Sequence, residues 1–317
     1  AERQPLHPAD QGLAARCRKM TMLTLPAPGK LNLFLHITGR RPDGYHELQT
    51  LFALLDQGDI LHFAPADTLS LECDQADVPT DDSNLILRAA RLLQAHTGSQ
   101  AGARIRLEKH LPMGGGVGGG SSDAATTLLG LNALWQLNLS EDTLAEQGLS
   151  LGADVPVFVR GKSAWAEGVG ERITPVSLPN DDFLVVHPGI HVSTARIFGD
   201  RQLTRDTPVS KLPASLEVVL TRDFRNDCEA AAIRQFPEIG ELLHWLKQHT
   251  GNARMTGTGA CCFARLAGVQ QGQHLLQQLP QHWTGFVARS CNTSPLHQIL
   301  GETLAKFRET QNSGKPA

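Results

Sequence analysis

The stretch that decides the fold of this chain is Pro112-Met113-Gly114-Gly115-Gly116-Val117-Gly118-Gly119-Gly120-Ser121-Ser122-Asp123-Ala124-Ala125, in which six of the fourteen residues are glycine. It lies between residues 103–109, which alternate as a half-buried strand does, and a segment after Asp123 whose apolar residues recur with the period of a helix. Glycine lets main-chain N–H groups approach an anion, and the first turn of a helix adds unpaired N–H groups and the positive end of its dipole. The order strand, glycine loop, helix therefore predicts a phosphate-binding loop, with Ser121, Ser122 and Asp123 as caps of the helix.

Two familiar phosphate loops do not fit this stretch. It lacks the Gly-Lys-Ser/Thr ending of a Walker A motif. The strand before it carries too many charges for the buried first strand of a Rossmann fold. A flexible surface loop is the remaining alternative, and the predicted helix caps favour phosphate binding because they place a helix N-terminus at the loop.

Length and composition predict two domains with substantial cores, since the chain has 317 residues of which 41% are hydrophobic. The Pro-containing polar stretch 175–181 is the best candidate for the boundary, giving domains at 22–176 and 177–317. Residues 1–21 are polar and have no apolar core of a secretory signal, so they are predicted to be a disordered extension.

Charge and cysteine usage exclude several classes of protein. A net charge of −3 gives no reason to expect a nucleic-acid or membrane partner. No apolar run is long enough to span a membrane. The six cysteines show no zinc-site spacing, which is typical of reduced thiols in a cytoplasmic protein.

Two charged positions have both a structural and a chemical interpretation. In the strand-like segment 30–37, Lys30 and Asn32 share one face, which is either a solvated surface or a polar pocket; the alternation by itself favours the solvated surface. Asp154 follows Gly-Ala and precedes an apolar run. It is either the N-cap of a helix, with Pro156 in the first turn, or a catalytic base, and the pattern does not decide between them.

Two further segments are candidates for ligand binding. Tyr45 and His46 follow the turn signal 38–44 and could stack on a planar base, although the pattern favours a tyrosine that packs on the sheet. A second glycine cluster, Thr256-Gly257-Thr258-Gly259, could supply main-chain N–H groups, and a tight hairpin is its simpler interpretation. A helix is predicted over 84–96, capped from Asp81, Asp82 or Ser83. The mixture of strands and helices in the second half predicts an α+β fold with helices on one face of a sheet.

Three segments, taken in order, resemble the three motifs of the GHMP kinases. They are Pro28-Gly29-Lys30-Leu31-Asn32-Leu33, the glycine loop, and Arg254-Met255-Thr256-Gly257-Thr258-Gly259-Ala260. The turn at 41–46 and the segment 151–158 are similar to the branch whose acceptor is a cytidylyl polyol. The resemblance implies a two-domain α+β fold, in which the N-terminal domain is like domain 2 of ribosomal protein S5 and the C-terminal domain is ferredoxin-like.

The resemblance also implies an activity, which is ATP-dependent phosphorylation of the 2-hydroxyl of a cytidylyl methylerythritol. It assigns catalysis to Lys30 and Asp154. It assigns the polyol to Asn32 and the cytidine to Tyr45 and His46, with Phe198 as a stacking partner. A GHMP kinase for another small alcohol, such as mevalonate or homoserine, and a catalytically silent nucleotide-binding regulator are the alternatives.

The same resemblance assigns ATP binding to Pro112, Met113, Gly114, Gly115, Gly116, Val117, Gly118, Gly119, Gly120, Ser121 and Ser122. Mg²⁺ is expected to bridge the phosphates with few protein ligands, so no metal-ligand set is predicted. The expected partners are small molecules alone, and the expected state is a monomer or homodimer. Asp123 departs from the pattern: beside phosphate its carboxylate would be repulsive, so it should point away or reach a cation.

Overall fold

The structure, a computed structural model, describes residues 22–213, 215, 219 and 224–313; the predicted extension 1–21 lies outside this part. Its strands are β1 (Leu23–Arg40), β2 (His46–Ala66), β3 (Leu69–Cys73), β4 (Gly102–Glu108), β5 (Ala164–Gly168), β6 (Arg172–Pro175), β7 (Asp182–His187), β8 (Arg254–Met255), β9 (Cys262–Arg265) and β10 (Thr284–Cys291). Its helices are α1 (Leu85–Thr97), α2 (Gly119–Leu134), α3 (Glu141–Leu149), α4 (Val155–Arg160), α5 (Thr194–Phe198), α6 (Glu229–Gln235), α7 (Pro237–Thr250), α8 (Val269–Leu276) and α9 (Pro295–Ser313). The α+β prediction is confirmed.

Strand β2 organises the sheet. It pairs antiparallel with β1 along most of its length, with β4 at 60–66 and with β5 at 48–52. Ser290 and Cys291 of β10 pair with Leu55 and Leu54 of β2, which joins the strands of the second half to those of the first. The long path through the sheet therefore runs β3-β4-β2-β10-β7-β9-β8.

The second half has the topology expected of a ferredoxin-like domain. The elements β7, α7, β8, β9, α8 and β10 follow the order β-α-β-β-α-β, with α5 and α6 as additional short helices. In the sheet these strands lie side by side in the order β10, β7, β9, β8, which is the order 4-1-3-2 when they are numbered within this unit. Each neighbouring pair is antiparallel. That part of the fold prediction is confirmed by the topology.

Helix α2 is buried on every side. Ala124, Leu128 and Leu131 are buried in a core cluster with β1, β2, β4 and α1, and Ser122 and Thr127 on other faces are buried as well. A helix that is buried all round is fixed in place by packing rather than by one amphipathic stripe. The glycine loop that leads into α2 is thereby attached to a rigid element.

Helix α9 packs on the first half of the chain although it comes last. Its Leu296 and Leu300 belong to the same buried cluster as α2. The N-terminal half is therefore completed by residues from the far end of the chain, a contribution that a boundary at 176/177 does not anticipate.

Two local predictions were wrong in detail. Strand β4 does have the predicted half-buried alternation. Helix α1, however, is capped by Asn84, whose side chain accepts from the Ile86 N–H, and not by Asp81, Asp82 or Ser83. The alternation in 30–37 also predicted that Leu31, Leu33, Leu35 and Ile37 share one face of β1, but the register with β2 shifts between Asn32 and Leu35. Such a bulge turns later side chains to the other face, which is why Leu31 and Leu35 lie in different core clusters.

Candidate active site

The glycine loop connects β4 to α2 and needs glycine at two central positions. Gly116 and Gly118 have φ of 75° and 76°, in the left-handed region. A Cβ at Gly116 would lie 2.4 Å from the Thr256 carbonyl oxygen, and one at Gly118 would lie 2.8 Å from the Phe158 ring. Glycine is therefore required at these two positions for two reasons: the backbone angles, and the close packing of two other segments of the site against the loop.

The predicted caps of α2 were wrong. The N-cap is Gly118, with no side-chain capping bond, and Ser121, Ser122 and Asp123 lie inside the first turns. Helix propensity places the start later because glycine is unfavourable inside helices. The true start puts Gly119 and Gly120 in the first turn, where the N–H groups have no intrahelical partner and bear the positive end of the dipole.

Lys30 lies in a polar pocket, so the solvated surface that the alternation favoured was wrong. Its side chain is 3% exposed. The ammonium group donates to the Asn32 side-chain oxygen at 2.6 Å and to the Gly116 carbonyl at 2.9 Å, and it lies 3.2 Å from the Asp154 carboxylate. These three acceptors match its three donors, which a buried ammonium needs.

Asp154 sits at the N-cap position of α4, but its side chain makes no capping bond. It forms the ion pair with Lys30 instead, and its side chain is 32% exposed. The N-cap alternative therefore does not account for the carboxylate. The pair combines a buried cation with an anion that a substrate can still reach.

The second glycine cluster, 256–259, closes over the first loop. The Thr256 hydroxyl accepts from the Asn32 main-chain N–H at 2.9 Å and lies 3.2 Å from the Gly116 carbonyl. The N–H of Cys261 donates to the Gly115 carbonyl at 3.0 Å. Asn226 holds the cluster from behind by donating to the Met255 and Gly257 carbonyls, both at 2.8 Å. All three motifs found in the sequence thus meet at one place.

The other candidate residues lie at the far end of the β1–β2 hairpin. The His46 ring stacks on Phe198 with centroids 4.9 Å apart and planes 23° apart. Tyr45 beside it is 64% exposed, so it does not pack on the sheet as the pattern favoured. Burial, and then the Arg205 and Arg40 cations, lower the pKa of His46 below its usual value.

Comparison with known proteins identifies the family. The model of the GHMP kinases N-terminal domain matches residues 84–162, and that of the GHMP kinases C-terminal domain matches 213–284. A protein of Alcanivorax borkumensis described as 4-diphosphocytidyl-2-C-methyl-D-erythritol kinase is 80% identical over 93% of this chain and 99% of its own. The chain belongs to the 4-diphosphocytidyl-2-C-methyl-D-erythritol kinases.

Two further relatives agree. The Chromohalobacter salexigens protein of the same description is 54% identical over 89% of this chain and 95% of its own. A crystal structure of 4-(cytidine 5'-diphospho)-2C-methyl-D-erythritol kinase is 34% identical, with a TM-score of 0.73, and covers 84% of this chain and 98% of its own. The predicted family and the two-domain GHMP kinase fold are confirmed.

Asp123 reaches a cation in this kinase, as its position in the loop requires. Its carboxylate lies 2.9 Å from the Lys109 ammonium, which also lies 2.5 Å from the Asp59 carboxylate. All three side chains are buried. Burial raises the pKa of Asp123 to about 7, partly offset by Lys109, while the neighbouring Asp59 raises it further. Of the two expected arrangements, the carboxylate therefore adopts the one in which it is paired with a cation.

Sequence reasoning missed several groups that shape the site. Lys109 and Asp59 were not singled out, because nothing beside either residue in the sequence marks its partner. Thr50, which accepts from the Asn32 amide at 2.9 Å, lies in a strand with nothing to mark it. Arg205, which contacts His46, lies in an irregular segment that carries no periodic signal.

Among the described residues, no cluster of three or more His, Cys, Asp or Glu side chains could hold a metal ion. No described helix is both long and apolar enough to cross a bilayer. The Ser122 hydroxyl is buried in α2, and the structure gives it no hydrogen-bond partner.

Proposed function

We propose that this kinase transfers the γ-phosphoryl group of ATP to the 2-hydroxyl of 4-diphosphocytidyl-2-C-methyl-D-erythritol, giving the 2-phosphate and ADP. The reaction belongs to the methylerythritol phosphate route to isopentenyl diphosphate. The observation that carries the proposal is the Lys30–Asp154 pair at 3.2 Å, whose ammonium also binds the Gly116 carbonyl of the glycine loop. A proton acceptor and a positive charge therefore lie together at the loop that would hold the donor.

Asp154 would accept the proton of the acceptor hydroxyl. The oxygen of that hydroxyl then forms the new bond to the γ-phosphorus while the bond from that phosphorus to the β-phosphate oxygen breaks, and ADP leaves. Lys30 would hold Asp154 in place and stabilise the negative charge on the transferring group. Phosphoryl transfer depends mainly on such positioning and charge stabilisation, and a positioned base typically contributes a factor of about 10² to 10⁴.

The glycine loop, 112–122, would bind the ATP phosphates through main-chain N–H groups and the N-terminus of α2. Thr256, Gly257, Thr258 and Gly259 would complete this side, since their loop is tied to Gly115 and Gly116. Mg²⁺ fits a site in which the phosphates supply most ligands and the Ser122 hydroxyl at most one. When bound, it would neutralise charge on the phosphate oxygens.

The acceptor would lie along the β1–β2 hairpin. Its polyol end would meet Asn32, whose amide nitrogen gives one N–H to Thr50 and has a second N–H for a substrate hydroxyl. Its cytosine would lie at the other end, with Tyr45, His46 and Phe198. An acceptor with a base at one end and a polyol at the other suits two sites at separate positions along one strand pair.

We also propose that the N-terminal and C-terminal halves of the chain contribute different parts of the site. Residues 22–176 would supply the ATP loop and catalytic pair, and residues 177–317 would supply Phe198 and the second glycine loop. We place the enzyme in the cytoplasm, as a monomer or homodimer. The described cysteines, Cys73, Cys228, Cys261, Cys262 and Cys291, are all unpaired, which suits a reducing compartment.

A coupled ADP-release assay tests the proposal. The purified kinase is given ATP and Mg²⁺ with one of three acceptors: 4-diphosphocytidyl-2-C-methyl-D-erythritol, mevalonate or homoserine. We expect turnover with the first alone, and loss of turnover when EDTA replaces Mg²⁺. Preferred turnover of mevalonate or homoserine would reassign the acceptor, and ADP release with none of the three would favour a nucleotide-binding regulator.

A further inference from the structure

Arg205 joins the two halves of the candidate base site. Its Nε donates to Nε2 of His46 at 3.1 Å. Its Nη2 donates to the main-chain carbonyls of Phe198 at 2.9 Å and Asp200 at 2.8 Å, and its Nη1 donates to that of Leu203 at 3.1 Å. One guanidinium group therefore binds the histidine from β2 and the backbone that carries the ring stacked on it.

This contact determines where the proton of His46 lies. A guanidinium group has only donors and stays protonated, so the atom it donates to must offer a lone pair. Nε2 of His46 is then unprotonated, and in the neutral ring the hydrogen must be on Nδ1. Among the described residues Nδ1 has no hydrogen-bond partner, so its N–H is available to a ligand.

The surrounding charges favour the same state. The pKa of His46 is lowered by burial first, and then by the two cations that face it, Arg205 from the irregular segment after α5 and Arg40 from the paired strand β1. Phe198, the ring stacked on it, carries no charge. Near neutral pH the imidazole is therefore uncharged, and it presents one donor of known position.

Cytosine suits such a donor. Its ring edge offers two acceptors, N3 and O2, next to one amino donor. A histidine with an N–H at Nδ1 can donate to either acceptor. The opposite tautomer would present a lone pair there and would repel them.

We infer that Arg205 is a positioning residue that fixes the Nδ1–H tautomer and the ring orientation of His46 for recognition of the cytosine of the acceptor. The inference rests on the proposed function for the identity of the base. Arg205 acts through His46 and takes no part in phosphoryl transfer. Lysine cannot replace it, because a single ammonium cannot hold the ring nitrogen and three carbonyls in one plane.

The first test uses the free protein and needs no substrate. Nitrogen-15 NMR of histidine-labelled enzyme separates the two neutral tautomers and the imidazolium, and His46→Asn identifies the His46 signals by their loss. We expect the Nδ1–H tautomer at pH 7 in the wild type and mixed or charged states in Arg205→Gln and Arg205→Lys. A wild-type His46 that is protonated on Nε2 would overturn the inference, whether or not the variants fold.

The second test separates recognition from catalysis. Loss of a charged hydrogen bond predicts that Arg205→Gln raises KM for the cytidylyl substrate about 10- to 100-fold, with kcat and the KM for ATP within about threefold. Arg205→Lys should not rescue KM. Arg201→Gln, at an exposed arginine of the same segment, should behave as the wild type.

The outcomes distinguish this inference from the proposed function. If the wild type turns over the cytidylyl substrate and Arg205→Gln leaves its KM unchanged, the inference is wrong and the function stands. If the wild type has the expected tautomer but does not turn over that substrate, the proposed function is wrong, and with it the assignment of the base. A parallel rise in both KM values would indicate general loss of structure and would also contradict the inference.

Discussion

Two buried lysines lie beside the glycine loop and differ in how exposed their carboxylate partners are. Lys30 pairs with Asp154, whose side chain is 32% exposed, whereas Lys109 pairs with Asp59 and Asp123, whose side chains are 0% and 6% exposed. Both lysines are themselves almost inaccessible. The difference lies entirely in the anions.

This difference separates a lysine–aspartate pair that could act in catalysis from a buried cluster that stabilises the fold. An ammonium ion whose carboxylate partner is accessible to solvent can act on a bound substrate. One sealed between two carboxylates can only hold the protein together. In the sealed cluster Asp59 also accepts from the main-chain N–H groups of His110 and Leu111, and so anchors the start of the glycine loop. We expect the open pair to affect turnover and the sealed cluster to affect folding.

The largest expected effect comes from the open pair. Replacing Asp154 with alanine removes the proton acceptor, so we expect kcat to fall about 10³-fold while ATP still binds. Single-turnover kinetics and titration with a fluorescent ATP analogue measure the two quantities. Asp142→Ala is the control, since Asp142 is an exposed carboxylate whose side chain is 82% accessible. Near-normal kcat in Asp154→Ala would remove Asp154 from the mechanism.

The sealed cluster is tested next by Lys109→Met. Two buried carboxyl groups then lose their cation, and breaking a buried ion pair from one side typically costs about 3–5 kcal/mol of the free energy of unfolding. Although burial opposes its charge, Asp123 and Asp59 raise the pKa of Lys109, so the cation is present at neutral pH. Urea denaturation measures the loss, and Lys211→Met at an exposed site is the matched control. A loss no larger than that of the control would make the cluster structurally unimportant.

The pH dependence of the free energy of unfolding provides a second test of the cluster around Lys109. The folded chain holds a proton on Asp123 up to a pKa of about 7, against 3.8 for an ordinary aspartate. Between these values the folded state binds more protons than the unfolded state, so this group makes stability fall as pH rises from about 4 to 7.

Asp123→Asn should remove that dependence. We expect its free energy of unfolding, relative to the wild type, to increase by about 1–3 kcal/mol from pH 4.5 to pH 7.5, since one pKa unit corresponds to about 1.4 kcal/mol. Denaturation series at several pH values measure it, with Asp142→Asn as the control. A difference between variant and wild type that stays constant with pH would show that Asp123 is ionised throughout.

The smallest effect is expected at Tyr45, which lies far from both lysines along the hairpin. Its ring is 64% exposed, so the loss of stacking on cytosine in Tyr45→Ala should cost about 1 kcal/mol. That predicts a rise of about five- to tenfold in KM for the cytidylyl substrate, with the KM for ATP unchanged and Tyr45→Phe close to the wild type. An equal rise in both KM values would contradict the assignment of Tyr45 to the base.

Prediction from the sequence succeeded where local pattern determines local structure. The alternation in 103–109 predicted β4, and the glycine-rich stretch predicted a loop that leads into a helix. Prediction failed at the caps of α1 and α2. At α2 the actual start depends on glycines that packing holds in a helix against their propensity.

The candidate site divides in the same way. Lys30, Asp154 and the two glycine loops were all selected from the sequence, and the structure brings them together. The side-chain partners Lys109, Asp59 and Arg205 were not selected, because each pairs with a residue distant in the chain. Arg205 and His46, for example, are separated by 159 positions.

The sequence by itself determined that this chain has a glycine loop between a strand and a helix, a lysine and an asparagine two residues apart on a strand, and an aspartate at the start of a short helix. Each of these follows from neighbours in the chain, through φ angles, side-chain period and helix ends. Only the tertiary structure decided which charges are buried and which remain accessible. Burial and pairing arise from segments far apart in sequence, and they distinguish Asp154, open to a substrate, from Asp123, sealed beneath the loop.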